Sequence, residues 1–205
     1  MVETDNETMN PKSERVRLYF AETAKKMILQ DGVESVSVRK VAALAGYSFA
    51  SLYNHFKSLD ELLWYTRDIM ILDILKYIQS ENVDKVRNIL GVKKVFRSFV
   101  GYFIENPHVY RFFYFHHLNK EDKPNQTIVN ELNFEEQYAG TFEFVFNSGK
   151  YTREETNLII KTLIFSLYGL LSLHFSDYEE LTIEAAIEEL DFMIEYLLRE
   201  VSDNG

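Results

Sequence analysis

Residues 37–56 have the sequence SVRKVAALAGYSFASLYNHF, and this stretch predicts two short helices joined by a tight turn. Ser37 and Ser48 each precede a run with apolar side chains at helical spacing, which is where a helix N-cap belongs. Gly46 separates the two runs, and glycine ends a helix sharply because it reaches positive φ at little cost. Ala42 is small where the two helices must touch. The pattern is typical of a helix-turn-helix, whose second helix enters the DNA major groove, although a helical hairpin inside a protein core fits the same small residues.

Further helices flank the motif on both sides. Apolar residues at helical spacing predict a first helix at residues 13–30. After the motif, Ser58 and Glu61 have the spacing of an N-cap and its capping-box partner, which predicts the start of a long fourth helix. We therefore expect a three-helix DNA-binding domain at residues 13–60, preceded by a polar, disordered arm at residues 1–12.

The stretch from Gly32 to Leu62, which contains Leu-Tyr-Asn-His-Phe at residues 52–56, resembles the TetR family of bacterial and archaeal transcriptional regulators. The resemblance covers residues 13–65. It implies an N-terminal helix-turn-helix domain, a C-terminal domain that binds a small-molecule effector, and a homodimer. Leu59 departs from the family pattern, which usually has a lysine there, and this departure removes one phosphate contact.

Position in the motif assigns a role to each residue that would face DNA. Ser37 and Arg39 open the second helix, where a hydroxyl, a backbone N–H and a guanidinium can meet a phosphate. The resemblance implies that four further residues clamp the DNA backbone, namely Ser48, Tyr53, His55 and Lys57. The other outward positions would face base edges, and these are Phe49, Ala50, Ser51 and Asn54. Phe49 stands where a polar or basic residue is commoner in the family.

The composition argues against several classes of protein. The chain has 205 residues and no cysteine, which excludes disulfides and Cys-ligated zinc. It has no glycine-rich phosphate loop and no Ser/His/Asp set, so we predict no enzyme, no catalytic residues and no cofactor. The adjacent pair His116-His117 would point about 100° apart on a helix, so we predict no metal site either. No apolar run reaches the roughly 18–20 residues that span a bilayer, and the acidic N-terminus is unlike a signal peptide, which predicts a cytoplasmic protein.

Net charge is −10, but the charge is unevenly distributed. Residues 11–57 carry eight Lys or Arg against four Asp or Glu, whereas residues 61–205 carry 14 against 24. Phosphate attraction is local because charges beyond about 8 Å are largely screened at physiological salt. The basic surplus near the motif therefore permits DNA binding, although ordinary solvated surface has a similar surplus.

Residues 61–205 are predicted to form a larger helical domain. No strand alternation is present, so we predict an all-α fold of about nine helices. The helices predicted after the motif cover residues 58–80, 84–105, 107–117, 126–147, 152–175 and 182–201.

Aromatic residues cluster in this second domain. At helical spacing they would line an apolar cavity with a few polar groups, which is the usual small-molecule site. Such a lining favours an apolar or aromatic effector, although a solid aromatic core explains the same residues. The predicted ligand contacts are Phe99, Tyr102, Phe103, Arg111, Phe112, Phe115, His116, Phe134, Tyr138, Phe142, Phe165 and Tyr168.

The last two predicted helices are too apolar for one neighbour to cover. They suggest a two-fold, four-helix interface with a second copy, with burial inside the monomer as the alternative. The sequence as a whole predicts a repressor that binds a palindromic double-stranded DNA operator as a homodimer. An apolar or aromatic small molecule would release it. The alternative is a helical ligand-binding or scaffold protein with weakened DNA binding.

Overall fold

A computed structural model describes residues 11–80, 86–124, 134–176 and 181–202 of the chain. Within these ranges the chain is helical and has no strand, which confirms the all-α prediction. Short 3₁₀ turns lie at Val33–Ser35 and Lys120–Asp122. The α-helices of the described ranges are α1 (Pro11–Asp31), α2 (Val38–Leu44), α3 (Phe49–Tyr53), α4 (Leu59–Ser80), α5 (Ile89–Glu105), α6 (Pro107–Tyr114), α7 (Phe134–Ser148), α8 (Arg153–Phe175), α9 (Ile183–Leu197) and α10 (Arg199–Ser202).

The chain forms two compact units. The first unit comprises Met1–Leu72 and His108–Val129, and the second comprises Asp73–Pro107 and Asn130–Gly205. The predicted domain boundary after residue 60 does not coincide with this division, because the first part of α4 packs with the helix-turn-helix. The Tyr65 ring lies edge-on to the Phe56 ring, with centroids 5.9 Å apart.

Local capping sets most of the helix starts that the sequence predicts. Thr152 and Glu155 form a complete capping box at α8, in which each side chain bonds the other residue's backbone N–H. At α4, Ser58 Oγ accepts from the Glu61 backbone N–H at 3.0 Å. The Glu61 carboxylate accepts from the backbone N–H of Lys57 at 2.7 Å, one residue earlier than a capping box requires.

Four predicted helix boundaries differ from those of the structure. α5 begins at Ile89 rather than at residue 84, because the Asn88 side chain caps it by accepting from the Gly91 backbone N–H at 3.0 Å. α6 ends at Tyr114 instead of His117. The predicted last helix is interrupted at Leu198, so that α9 and the short α10 are separate. α1 starts at Pro11, inside the predicted arm, whose residues 1–10 lie outside the described ranges, as do residues 126–133 of the predicted seventh helix.

The first unit is built around fully buried aromatic and aliphatic side chains. Phe20 from α1 meets Phe56 edge-on at a centroid distance of 6.5 Å, and both rings are inaccessible to solvent. Leu52 of α3 and Leu62 of α4 are also fully buried. Each such side chain contributes about 1.5–3 kcal/mol by leaving water, and Leu52 attaches α3 to this core.

In the second unit, α5 packs on α7, α8 and α9. Phe96 of α5 and Phe142 of α7 are buried and meet edge-on at 6.3 Å. Arg97 donates both to Oδ1 of Asp191 at 3.3 Å and to its Oδ2, so α5 and α9 are joined by a two-pronged ion pair. That hydrogen bonding raises the pKa of Arg97 above its usual value.

One helix of the described ranges, α8, is long and apolar enough to cross a membrane by length and composition alone. Its most apolar window has a mean hydropathy of 1.7, and 33% of that window is buried in the protein. Polar residues such as Lys161 and Ser166 interrupt the apolar run, as the sequence indicates, and one such helix is weak evidence for a membrane segment because core helices of other proteins meet the same criterion.

Candidate nucleic-acid interface

The helix-turn-helix has the geometry that its sequence predicts. Ser37 Oγ accepts from the Lys40 backbone N–H at 3.4 Å, and Ser48 Oγ accepts from that of Ser51 at 3.1 Å, so each serine caps its helix. Gly46 has φ of 72°, in the left-handed region that favours glycine. Ala42 is 1% exposed, as the close contact of the two helices requires.

Among the described residues, helix α3 is anchored through the side that carries Leu52. Leu52 is fully buried, whereas Phe49 is 46% exposed and Tyr53 is 45% exposed. The two exposed rings contact each other edge-on with centroids 4.9 Å apart. Ala50 and Asn54 are also exposed. The described residues of this unit therefore leave the face opposite Leu52 accessible to another molecule.

Arg39 of α2 extends toward this face. Its guanidinium carbon lies 5.7 Å from the centroid of the Phe49 ring, and the side chain is exposed. A cation over an aromatic ring at this distance is attracted by the ring's electron density. The contact brings together a residue predicted to bind phosphate and a residue predicted to face base edges.

His55 and Lys57 are placed differently. The ring of His55 is half-buried, with Nδ1 3.1 Å from Ser13 Oγ, and its backbone carbonyl accepts from Arg17. Lys57 is exposed, and its Nζ lies 3.6 Å from the Asp122 carboxylate. Both residues adjoin the predicted surface, but each already has a partner within the first unit.

Sequence reasoning missed several residues of this region. Tyr47 lies in the turn, is 40% exposed, and its ring is 5.0 Å from that of Phe20. Its position in the turn, between Gly46 and Ser48, could have indicated that it lies beside the predicted DNA-facing residues. Glu121 and Asp122, which contact Lys57, lie in the 3₁₀ turn after α6 and gave no signal, because nothing local links them to the motif.

The residues predicted to contact a ligand differ in how far their side chains are exposed to solvent. Phe99, Tyr102, Phe103 and Phe142 are buried in the second unit, and Phe112 is buried in the first. Tyr168 and His116 are half-buried, and Arg111 is exposed. Phe115 is 55% exposed and Phe165 is 69% exposed, so neither ring lines an enclosed cavity. The side chains of Phe134 and Tyr138 lie outside the described residues.

The buried rings make the contacts of a packed core. Phe99 lies edge-on to Phe103 at 4.9 Å and to Tyr168 at 5.9 Å. Burial, with a smaller contribution from the Asp73 carboxylate, raises the pKa of Tyr102 to about 12. A ligand-binding role for these residues stays a prediction.

Comparison with known proteins gives two independent likenesses. Residues 21–64 match the model of the bacterial regulatory proteins of the tetR family. Over 76 residues, which are 37% of this chain, the sequence is 32% identical to the HTH-type transcriptional regulator PksA of Bacillus subtilis (strain 168). That match spans only 33% of the length of PksA.

Solved structures extend the likeness to the whole fold. A TetR transcriptional regulator from Rhodococcus sp. RHA1 has a TM-score of 0.61 at 16% identity, over 93% of this chain and 99% of that one. A TetR family transcription regulator from Marinobacter aquaeolei VT8 has a TM-score of 0.54 at 19% identity, over 92% and 98% of the two chains. At these identities the structural likeness concerns the fold alone.

Proposed function

This chain carries the N-terminal domain of the tetR family of bacterial regulatory proteins at residues 21–64, and on that premise we propose that it is a ligand-responsive transcriptional repressor. The observation that carries the proposal is the one-sided anchoring of α3. Leu52 holds the helix to its own unit, while Phe49 and Tyr53 extend into solvent. Such a helix is free to enter a major groove and read base edges.

Exposed side chains on the last long helices support a homodimer. Phe165 is 69% exposed and Leu158 is 66% exposed on α8, while Phe192 is 63% exposed and Tyr196 is 58% exposed on α9. These side chains lie on the two helices that the sequence predicts to form the dimer interface, and their exposure favours a two-fold interface there. A dimer would set two recognition helices about 34–36 Å apart, on successive major grooves of a palindromic site.

An apolar or aromatic effector would act through its differential affinity for two conformations. A ligand that binds both conformations equally shifts nothing, and a swing from 1:99 to 99:1 requires about 5.5 kcal/mol of preference. In the repressor proposed here, the conformation that the effector prefers has the lower affinity for DNA.

Selection from a random-sequence duplex library tests the DNA-binding part directly. We expect enrichment of inverted repeats whose half-sites are about one helical turn apart. Arg39→Ala and Tyr53→Phe should each weaken binding to the selected site, whereas Arg153→Gln, which removes an exposed arginine from α8, should not. Affinity should fall steeply as salt rises, because phosphate binding releases counterions.

A ligand-binding or scaffold protein with weakened DNA binding is the second candidate function. The ion pair between Lys57 and Asp122, together with leucine at position 59, favours it because both reduce the positive charge offered to phosphate. The selection experiment separates the two candidates, since the scaffold protein would enrich no sequence and its weak DNA binding would not respond to Arg39→Ala.

A further inference from the structure

Arg67 on α4 is a half-buried arginine that contacts aromatic rings. Its guanidinium carbon lies 5.3 Å from the centroid of the Trp64 ring and 5.1 Å from that of Phe113, and all three residues belong to the first unit. Its Nε is buried and has no hydrogen-bond partner. In the part of the chain that the structure describes, no carboxylate lies within ion-pairing distance of Arg67.

An arginine in this setting has aromatic contacts but lacks a carboxylate that accepts its hydrogen bonds. The guanidinium has five N–H donors in a planar fork, and ring faces attract its charge without accepting strong hydrogen bonds. Burying a charged group without a hydrogen-bonded counterion is unfavourable. Arg67 is not fully buried, so part of the side chain remains accessible to an incoming group.

Arg17 provides the comparison within the same unit. Its guanidinium carbon also lies over two rings, 4.2 Å from the centroid of Phe56 and 5.1 Å from that of Tyr65. Unlike Arg67, it additionally pairs with the Glu61 carboxylate at 3.3 Å and donates to the carbonyl of His55. The Nε atom is buried without a partner in both arginines, so the difference is that Arg17 has a carboxylate and a carbonyl partner whereas Arg67 has neither among the described residues.

The surroundings of Arg67 favour an anion. Lys123 places its Nζ 5.5 Å from the centroid of the Trp64 ring, which adds a second positive charge at that ring. The carboxylate of Asp60, two turns earlier on α4, accepts from the Asn119 backbone N–H at 2.8 Å. We propose that Arg67 binds the carboxylate of an organic acid whose apolar body packs against the half-buried ring of Trp64.

This assignment rests on the proposed function, because it names the chemical class of the effector. A carboxylate matches one guanidinium fork with two parallel hydrogen bonds. A phosphate would bring up to two charges and three oxygen acceptors, which one arginine among aromatic rings does not satisfy. The ligand class is therefore an amphipathic carboxylic acid.

Trp64 is the single tryptophan of the chain, so its fluorescence reports on this position. The full chain is titrated with octanoate, decanoate and cyclohexanecarboxylate, and with the primary amide of each acid as a neutral control. We expect a saturable change in emission with at least one acid and binding of its amide that is weaker by about ten-fold or more. No saturable change with any of the three acids, or equal binding of acid and amide, would overturn the proposal.

Variants locate the interaction at Arg67. Arg67→Gln should weaken binding of the acid by about ten-fold or more and leave binding of the amide unchanged, and Arg67→Lys should fall between it and the parent. Arg153→Gln serves as the matched control and should bind the acid as the parent does. Acid binding by a folded Arg67→Gln variant at parental strength would overturn the assignment, and the acid–amide comparison on the parent does not depend on that variant folding.

No DNA enters this titration, so its outcome is separate from that of the DNA selection. If the acid binds and no duplex is enriched, Arg67 still binds a carboxylate, but the repressor proposal fails and with it the assignment of that acid as an effector. If a duplex is enriched and no acid binds, the reverse holds.

Discussion

The Nζ atom of Lys57 lies 3.6 Å from Oδ1 of Asp122 and 3.3 Å from the backbone carbonyl oxygen of Glu121. Lys57 is one of the residues predicted to contact a DNA phosphate. Its ammonium group is already paired with the acidic 3₁₀ turn, so Asp122 takes the place that a phosphate would have. The turn is held in place by the Asn119 backbone N–H, which donates to the carboxylate of Asp60. A phosphate must therefore replace Asp122 before Lys57 contributes to a complex.

Asp122→Asn should tighten DNA binding by up to about five-fold, because it frees Lys57 and removes one negative charge beside the duplex. The expected size is that of an exposed ion pair, about 0.2–1 kcal/mol. Gel-shift titrations on the selected duplex at two salt concentrations would measure it. Glu154→Gln, which neutralises an exposed acid in the first turn of α8, should leave affinity unchanged. An unchanged affinity for Asp122→Asn would mean that Lys57 takes no part in the complex.

Gly46→Ala should destabilise the protein by about 1 kcal/mol, because φ of 72° is strained for any residue with a Cβ. Beyond the adjoining residues the added methyl group meets no atom within 4 Å, so the cost comes from local backbone strain and not from a clash with the surrounding protein. Gly140 in α7 offers the matched control: a Cβ there also meets nothing within 4 Å, and its backbone is helical. Gly140→Ala should therefore stabilise by about 0.5–1 kcal/mol. Urea unfolding measures both changes, and equal effects of the two substitutions would contradict the argument.

The free energy of unfolding should fall above about pH 10, and the fall should be smaller in the Tyr102→Phe variant. The folded protein raises the pKa of Tyr102 to about 12, whereas the unfolded value is about 10. Below pH 10 the hydroxyl is protonated in both states and has no effect. Between about pH 10 and 12 only the unfolded state releases the proton, which lowers the free energy of unfolding by about 1.4 kcal/mol per pH unit.

Urea unfolding of the parent and of Tyr102→Phe at about pH 9 and about pH 11 tests this dependence. The parent should lose more stability than the variant over that interval. Tyr196→Phe, which alters a tyrosine that is 58% exposed, is the control for removing a hydroxyl and should follow the parent. Parallel losses for the parent and Tyr102→Phe would show that the hydroxyl does not titrate in this way.

Phe165→Asp and Phe192→Asp should each convert the proposed homodimer to a monomer, because a buried, unpaired carboxylate is costly at an apolar interface. Light scattering after size-exclusion chromatography gives the mass directly. Leu90→Asp, on the exposed surface of α5 in the same unit, introduces the same charge at a residue that is 58% exposed and should leave the mass unchanged. A parent that is monomeric at micromolar concentration would remove the basis for a two-fold operator.

Helix starts were predictable from the sequence where one side chain completes the bonding of its own first turn. Ser37, Ser48, Thr152 and Thr182 each accept a backbone N–H three residues on, and such contacts depend on local sequence alone. Helix ends were less predictable. α6 ends without glycine or proline, where the backbone N–H groups of Phe115 and His116 both donate to the carbonyl of Arg111.

In the candidate site, too, features set by local sequence were predictable, and contacts between distant parts of the chain were not. The helical spacing of Leu52 and Phe56 places Phe49 on the exposed side of α3. The same spacing also allows Tyr53 to be a core residue or a DNA contact, and in the structure its side chain is 45% exposed. The contact of Lys57 with Asp122 joins residues far apart in the chain and was not predictable from either neighbourhood. Exposure of Phe165 was also hidden, because an apolar position on a helix indicates a buried face without saying whether the chain itself or a second copy covers it.

The first unit is discontinuous, since residues 108–129 complete it after an excursion of the chain through residues 73–107. The two segments depend on each other: the indole N–H of Trp64 in the first segment donates to the carbonyl of Asn119 in the second, at 3.0 Å. A chimaeric regulator made by joining residues 1–72 to a foreign sensor would lose that partner and expose the side of α4 that Phe113 covers. Transplanting the DNA-reading module therefore requires both segments, and a single crossover point within α4 leaves an incomplete fragment.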